Sequence, residues 1–130
     1  MNIQTLLLAS FPELKKIVQL KDKANKLFSK KEYQEAIEIY KEILTIEENH
    51  VIYSNISASF LQLENFEEAE KFASKCIEKN PNFVKGYYRK GMALKRAGKA
   101  KKAVEAFQQG LELDKTNEVL IHEIRSILDE

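Results

Sequence analysis

Lys85 and Arg89 stand four residues apart, and so do Lys21 and Asn25. On a helix that spacing puts both members of a pair on one face, about one turn apart. Lysine and arginine only donate hydrogen bonds, and an asparagine amide adds two more donors, so both faces suit a ligand rich in anionic acceptors. The other reactive side chains are scattered. His50 and His122 lie far apart in the chain, without HExxH spacing or a pairing with cysteine, so no metal set is expected. Cys76 is the only cysteine, which excludes an intramolecular disulfide and fits a reducing compartment. With no base near it by spacing, it is expected as a small buried apolar residue. The segment from Ala93 to Ala100 ends Gly98-Lys99-Ala100 but lacks a glycine at 93, a hydroxyl after the lysine and a preceding strand, so it reads as a helix-ending turn. No enzyme, cofactor or metal is expected from these residues.

Lys plus Arg number 21 and Asp plus Glu 20, a formal charge of +1 that gives no overall pull toward nucleic acid or an acidic membrane. The cluster Lys95, Arg96, Lys99, Lys101 and Lys102 reads as a solvated edge rather than an RNA surface. The apolar run from Leu6 to Ala9 is far shorter than the ~20 residues that span a bilayer, and no basic residue precedes it as in a secretory signal. A cytoplasmic protein is expected. Four glycines and two prolines leave little material for β-turns, whereas Ala, Leu, Glu and Lys favour helices.

Three segments align on a central alanine: KKEYQEAIEIY at Ala36, LENFEEAEKFA at Ala69 and AGKAKKAVEAF at Ala103, spaced by 33 and 34 residues. At matching offsets upstream stand the small residues Ala24, Ser57 and Gly91, each followed three residues later by Leu27, Phe60 or Leu94. Small beside large lets neighbouring helices interlock. Apolar periodicity predicts first helices over about 17–30, 51–63 and 84–97, and second helices over about 33–46, 66–79 and 100–113. Asn65 and Glu68 have capping-box spacing, and so do Ser10 and Glu13 around Pro12, which predicts a helix from Phe11. Residues 1–9 read as a tail. Val119, Leu120, Ile124, Ile127 and Leu128 form one stripe on a helix over 117–129 that caps the last hairpin. Tyr33, Tyr40, Tyr53, Phe60, Phe66, Phe72 and Phe107 fall at packing phases. Of Tyr87 and Tyr88, one must pack inward, leaving the other to border any ligand surface.

These features resemble the tetratricopeptide-repeat (TPR) family, with Leu20, Tyr53 and Tyr87 at the consensus tryptophan and only Pro81 kept at the repeat end. The resemblance implies an all-α, right-handed superhelical stack of three hairpins (17–49, 50–83 and 84–117), a tail and helix extension over 1–16, and a C-terminal capping helix over 118–130. A narrower resemblance is to co-chaperones that hold chaperone tails in a two-carboxylate clamp. That pattern is carried by LKDKANK with Lys21 and Asn25, YSN with Asn55, and VKGYYRK with Lys85 and Arg89. It implies that these five bind the side-chain and main-chain carboxylates of a final aspartate. The implied partners are Glu-Glu-Val-Asp tails of seventy- or ninety-kilodalton heat-shock chaperones, with no nucleic acid or membrane. Lys95 and Arg96, about two turns beyond Arg89, are candidates for an upstream glutamate. The competing reading is a TPR scaffold that binds an internal segment, its cations satisfied by Asp22 and the acidic run from Glu64 to Glu70.

Overall fold

The computed structural model describes residues 2–130. They form eight α-helices, with no strand among the described residues. Two compact units divide the chain, one ending at Glu48 and the other running from Asn49 to Glu130.

The first unit contains α1 (Ile3–Ser10), α2 (Pro12–Ser29) and α3 (Tyr33–Ile46). The expected tail is therefore a helix from its third residue onward, and Met1 lies outside the described residues. Asn2 caps α1 by accepting from the Thr5 backbone N–H at 2.7 Å, a local bond that stabilises a helix whose residues are all at least partly exposed. The Ser10–Glu13 capping box is not formed. Ser10 closes α1, and the N-cap of α2 is Phe11, whose side chain makes no capping bond. Proline in the first turn of α2 costs little, because its missing N–H has no helical partner there. α2 then runs unbroken into the first repeat helix. It packs on α3 through Ile17 and Ala24 against Ala36, Ile37, Tyr40 and Ile43, all buried.

The second unit contains α4 (His50–Gln62), α5 (Phe66–Lys79), α6 (Val84–Arg96), α7 (Ala100–Leu113) and α8 (Glu118–Leu128). α4 pairs with α5 and α6 with α7, while α5 also packs on α6 and α8 on α7. The small positions work as their spacing predicts. Ala69 and Ala103 are fully buried, and the Ser57 hydroxyl, buried among apolar neighbours, donates to the Ala69 carbonyl at 2.7 Å and so avoids a desolvation penalty. Leu94, Ala103, Ala106, Phe107 and Leu120 form one cluster, with Ile124 and Ile127 packed against it. α8 thus covers the last hairpin, but by a narrower stripe than expected, since Val119 and Leu128 face solvent. Of the aromatic positions, Tyr40, Tyr53, Phe60, Phe72 and Phe107 are buried, whereas Tyr33 and Phe66 are half-buried.

Every hairpin turns on the same device. Lys31, Glu64 and Gly98 take positive φ angles of 64°, 59° and 82°. The residue after each donates its N–H five positions back, Glu32 to Leu27, Asn65 to Phe60 and Lys99 to Leu94, each at 2.9 Å. This left-handed ending satisfies carbonyls that the helix leaves open, and only Gly98 adopts it without a Cβ penalty.

Candidate functional site

In the first unit, Lys21 and Asn25 lie one turn apart on α2, Lys21 half-buried and Asn25 exposed. The Tyr40 hydroxyl, reaching across from α3, donates to Asn25 Oδ1 at 2.7 Å. Asp22, the neighbour of Lys21, pairs instead with Lys26 at 3.0 Å, the i,i+4 partner on its own face of the helix.

In the second unit, α6 packs against α4 and carries Lys85 and Arg89 one turn apart, while α4 carries the half-buried Asn55. Lys85 is exposed and Arg89 half-buried. The Arg89 Nε donates to the Ser54 hydroxyl on α4 at 3.4 Å, and its guanidinium lies 5.7 Å from the centre of the Tyr88 ring. Burial pushes the Arg89 pKa down from its ordinary value, an effect that Tyr88 and Cys76 oppose. A guanidinium keeps its charge in a folded protein all the same, so Arg89 is a cation already stripped of part of its water. Among the described residues, no carboxylate pairs with Lys21, Lys85 or Arg89.

Beside Lys85 opens a cleft of about 420 Å³ lined by Val84, Tyr88, Asn117, Val119 and Leu120. Tyr88 lines this cleft while its ring also packs against the α6–α8 cluster, 6.5 Å from the ring of Phe107. Tyr87 turns to the packing side, its Cβ against Gly110 and its hydroxyl donating to the Pro81 carbonyl at 2.7 Å.

Lys95 and Arg96, the candidates for an upstream glutamate, each have a partner within the protein. Lys95 Nζ lies 2.9 Å from Glu123 and 3.2 Å from the Ser126 hydroxyl, both on α8, and this pair is largely shielded from water. Arg96 reaches Glu64 at 3.3 Å and the Leu61 carbonyl at 3.4 Å and covers the Phe66 ring at 5.1 Å. Both cations fasten helices together. Two site features escape sequence reasoning, the Tyr40 bond to Asn25 and the Ser54 bond to Arg89, because they join residues 15 and 35 positions apart.

Cys76 is fully buried, and burial pushes its thiol up to about 11 despite the opposing Arg89 charge. Only the thiolate reacts, so iodoacetamide at pH 7.5 should leave the native protein unmodified and alkylate it fully in denaturant. Mass spectrometry reads the difference, and rapid modification of the native protein would contradict the buried placement. Among the described residues, no group of three His, Cys, Asp or Glu side chains is arranged to hold a metal ion. No helix there is long and apolar enough to cross a membrane.

Profiles of the tetratricopeptide repeat match residues 22–50, 51–83 and 84–117. Among relatives, the chain is similar to the "Heat shock protein sti1 homolog" of Schizosaccharomyces pombe, 38% identical over 110 residues, which are 84% of this chain and 19% of that protein. It is likewise similar to the "Hsp70-Hsp90 organizing protein" of Triticum aestivum, 36% identical over 111 residues, with 85% and 19% covered. The chain therefore spans only about a fifth of the length of these relatives. Among solved structures, the second TPR domain of human RPAP3, in complex with the HSP70 peptide SGPTIEEVD, superposes with a TM-score of 0.85 at 26% identity, covering 91% of this chain and 99% of that one. The first TPR of Spaghetti (RPAP3), bound to the HSP90 peptide SRMEEVD, gives 0.83 at 29% identity, with 88% and 92% covered. With its repeats matched over most of its length and its helices arranged as in solved TPR domains, this chain belongs to the tetratricopeptide-repeat family.

Proposed function

We propose that this chain is a non-catalytic adaptor module that grips the free C-terminus of another protein by the two carboxylates of a final aspartate. Its ligands in this reading are the Glu-Glu-Val-Asp tails of seventy- and ninety-kilodalton heat-shock chaperones, met in a reducing cytoplasmic setting. In this reading the tail is held by the residues of the clamp pattern, Lys21, Asn25, Asn55, Lys85 and Arg89.

The observation that carries the reading is that three of these five residues are cations without a carboxylate partner among the described residues, although acidic residues are nearly as numerous as basic ones. The nearby acids are spent elsewhere, Asp22 on Lys26 and Glu64 on Arg96. That weakens the scaffold alternative, in which those acids would neutralise the site. The peptides in the two similar structures end in Glu-Glu-Val-Asp and Glu-Glu-Val-Asp preceded by Met, and the relatives carry names tied to Hsp70 and Hsp90, which supports the choice of tail.

Charge-assisted bonds contribute about 1.5–3 kcal/mol each when well made. Several of them, less the cost of ordering a flexible tail, give roughly micromolar affinity. Calorimetric titration with a Met-Glu-Glu-Val-Asp peptide should therefore show micromolar binding for the free acid, weakening as salt rises, and none for the C-terminal amide. Equal binding of both forms, or of neither, would sink the proposal.

A further inference from the structure

The clamp reading requires Asn25 to act as a donor, yet an asparagine amide presents an acceptor and a donor end that exchange places by a half-turn. A freely turning amide would meet a carboxylate with its oxygen as readily as with its NH2. In the first unit it does not turn freely. Tyr40 is 2% exposed, with its ring among the core residues of α3, and its hydroxyl emerges beside α2 to donate to Asn25 Oδ1 at 2.7 Å. The phenol oxygen could also accept from the NH2 end, but its own buried proton would then lose its acceptor, so the bond to Oδ1 is the orientation that satisfies both groups. Burial also pushes the Tyr40 pKa up, so the phenol holds its proton throughout the physiological range. With Oδ1 occupied, the exposed side of Asn25 is its Nδ2 end.

We propose that Tyr40 is a specificity-determining positioning residue: by holding Asn25 Oδ1 it fixes the amide with its NH2 outward, so that this position donates to a terminal carboxylate and offers no acceptor to the NH2 of a terminal carboxamide. The inference rests on the clamp reading and deepens it. A carboxylate carries acceptors only, whereas a carboxamide also carries two donors that need an acceptor. An unpinned Asn25 could supply that acceptor by turning over, and a pinned one cannot. Discrimination at this position then comes from a residue that never touches the ligand, through an unsatisfied donor on the wrong one.

The test is a cycle of Tyr40→Phe, Asn25→Ala and the double variant, titrated with the free-acid and amide peptides while thermal melts are followed in parallel. Tyr40→Phe removes one oxygen and keeps the ring, and should weaken free-acid binding about fivefold to tenfold and bring amide binding, undetected in the unaltered protein, closer to it. On the Asn25→Ala background the same change should alter affinity by less than about twofold, because the two residues act as one unit. Unchanged binding by Tyr40→Phe, or an equal loss on both backgrounds, would overturn the proposal and leave Tyr40 a packing residue. Failure of the clamp reading is separate: Lys85→Ala would then bind as tightly as the unaltered protein. Should Tyr40→Phe unfold, NMR of the unaltered protein decides: a Tyr40 hydroxyl proton slowed in exchange, with a through-space contact to the Asn25 side chain, supports the pin, and a freely exchanging hydroxyl proton overturns it.

Discussion

Arg89→Ala is expected to weaken binding of a free-acid tail by at least about 30-fold while the protein stays folded, as read by calorimetry beside circular dichroism. The size of the effect follows from burial. Arg89 is half-buried, held by Ser54 and lying against Tyr88, so its desolvation is largely met before any ligand arrives. Removing one partner of a well-shielded charge pair costs about 2–5 kcal/mol in binding, much of it from the anion left unpaired. Lys85 lies one turn earlier and exposed, where solvent and salt screen its charge, so Lys85→Ala should cost less and chiefly flatten the salt dependence. Arg89→Lys should not restore full affinity, because a point charge on a flexible stem reproduces neither the planar fork nor the contact with Tyr88. For folding, Arg89→Ala gives up one long hydrogen bond to Ser54, at a cost of about 1 kcal/mol, so the helices remain. Collapse of the helical signal would make Arg89 structural, and undiminished binding would remove it from the site.

Gly91→Ala, in contrast, should damage the fold. A Cβ at position 91 would stand 2.3, 2.5 and 2.6 Å from the Cε1, Cδ1 and Cζ atoms of Phe107. Phe107 is fully buried, within the cluster that holds α8 through Leu120, so its ring cannot shift without disturbing that cluster. Overpacking of this kind costs about 1–3 kcal/mol. Alanine in mid-helix returns about 1 kcal/mol of propensity relative to glycine, which reduces the loss without reversing it when the approach is this close. The melting temperature should fall by roughly 4–8 °C per kcal/mol lost, and the urea midpoint with it. Gly86 provides an internal comparison, since a Cβ there would meet Ile77 Cγ1 at 3.1 Å and Cys76 Sγ at 3.2 Å, so Gly86→Ala should be the milder change. A Gly91→Ala protein that melts at or above the unaltered temperature would contradict this account of the α6–α7 contact.

The number of hairpins, the placement of their helices to within a few residues and the small positions at their crossings are all legible in the order of residues. Each of these is a local or periodic property, set by propensity and by which residues share a helix face. That order also supplied the five clamp candidates as types at repeat-matched positions. Tertiary structure decided the rest. It made the supposed tail a helix, α1, and left Val119 and Leu128 of the capping stripe in solvent. It paired Lys95 and Arg96 with Glu123 and Glu64, 28 and 32 residues away. It also supplied the holders of the candidate residues, Tyr40 for Asn25 and Ser54 for Arg89. Repeat spacing says which helix face a side chain occupies, but a hydrogen bond depends on a few tenths of an ångström between atoms on different helices. That distance is set by how the intervening side chains pack, not by the pattern along the chain.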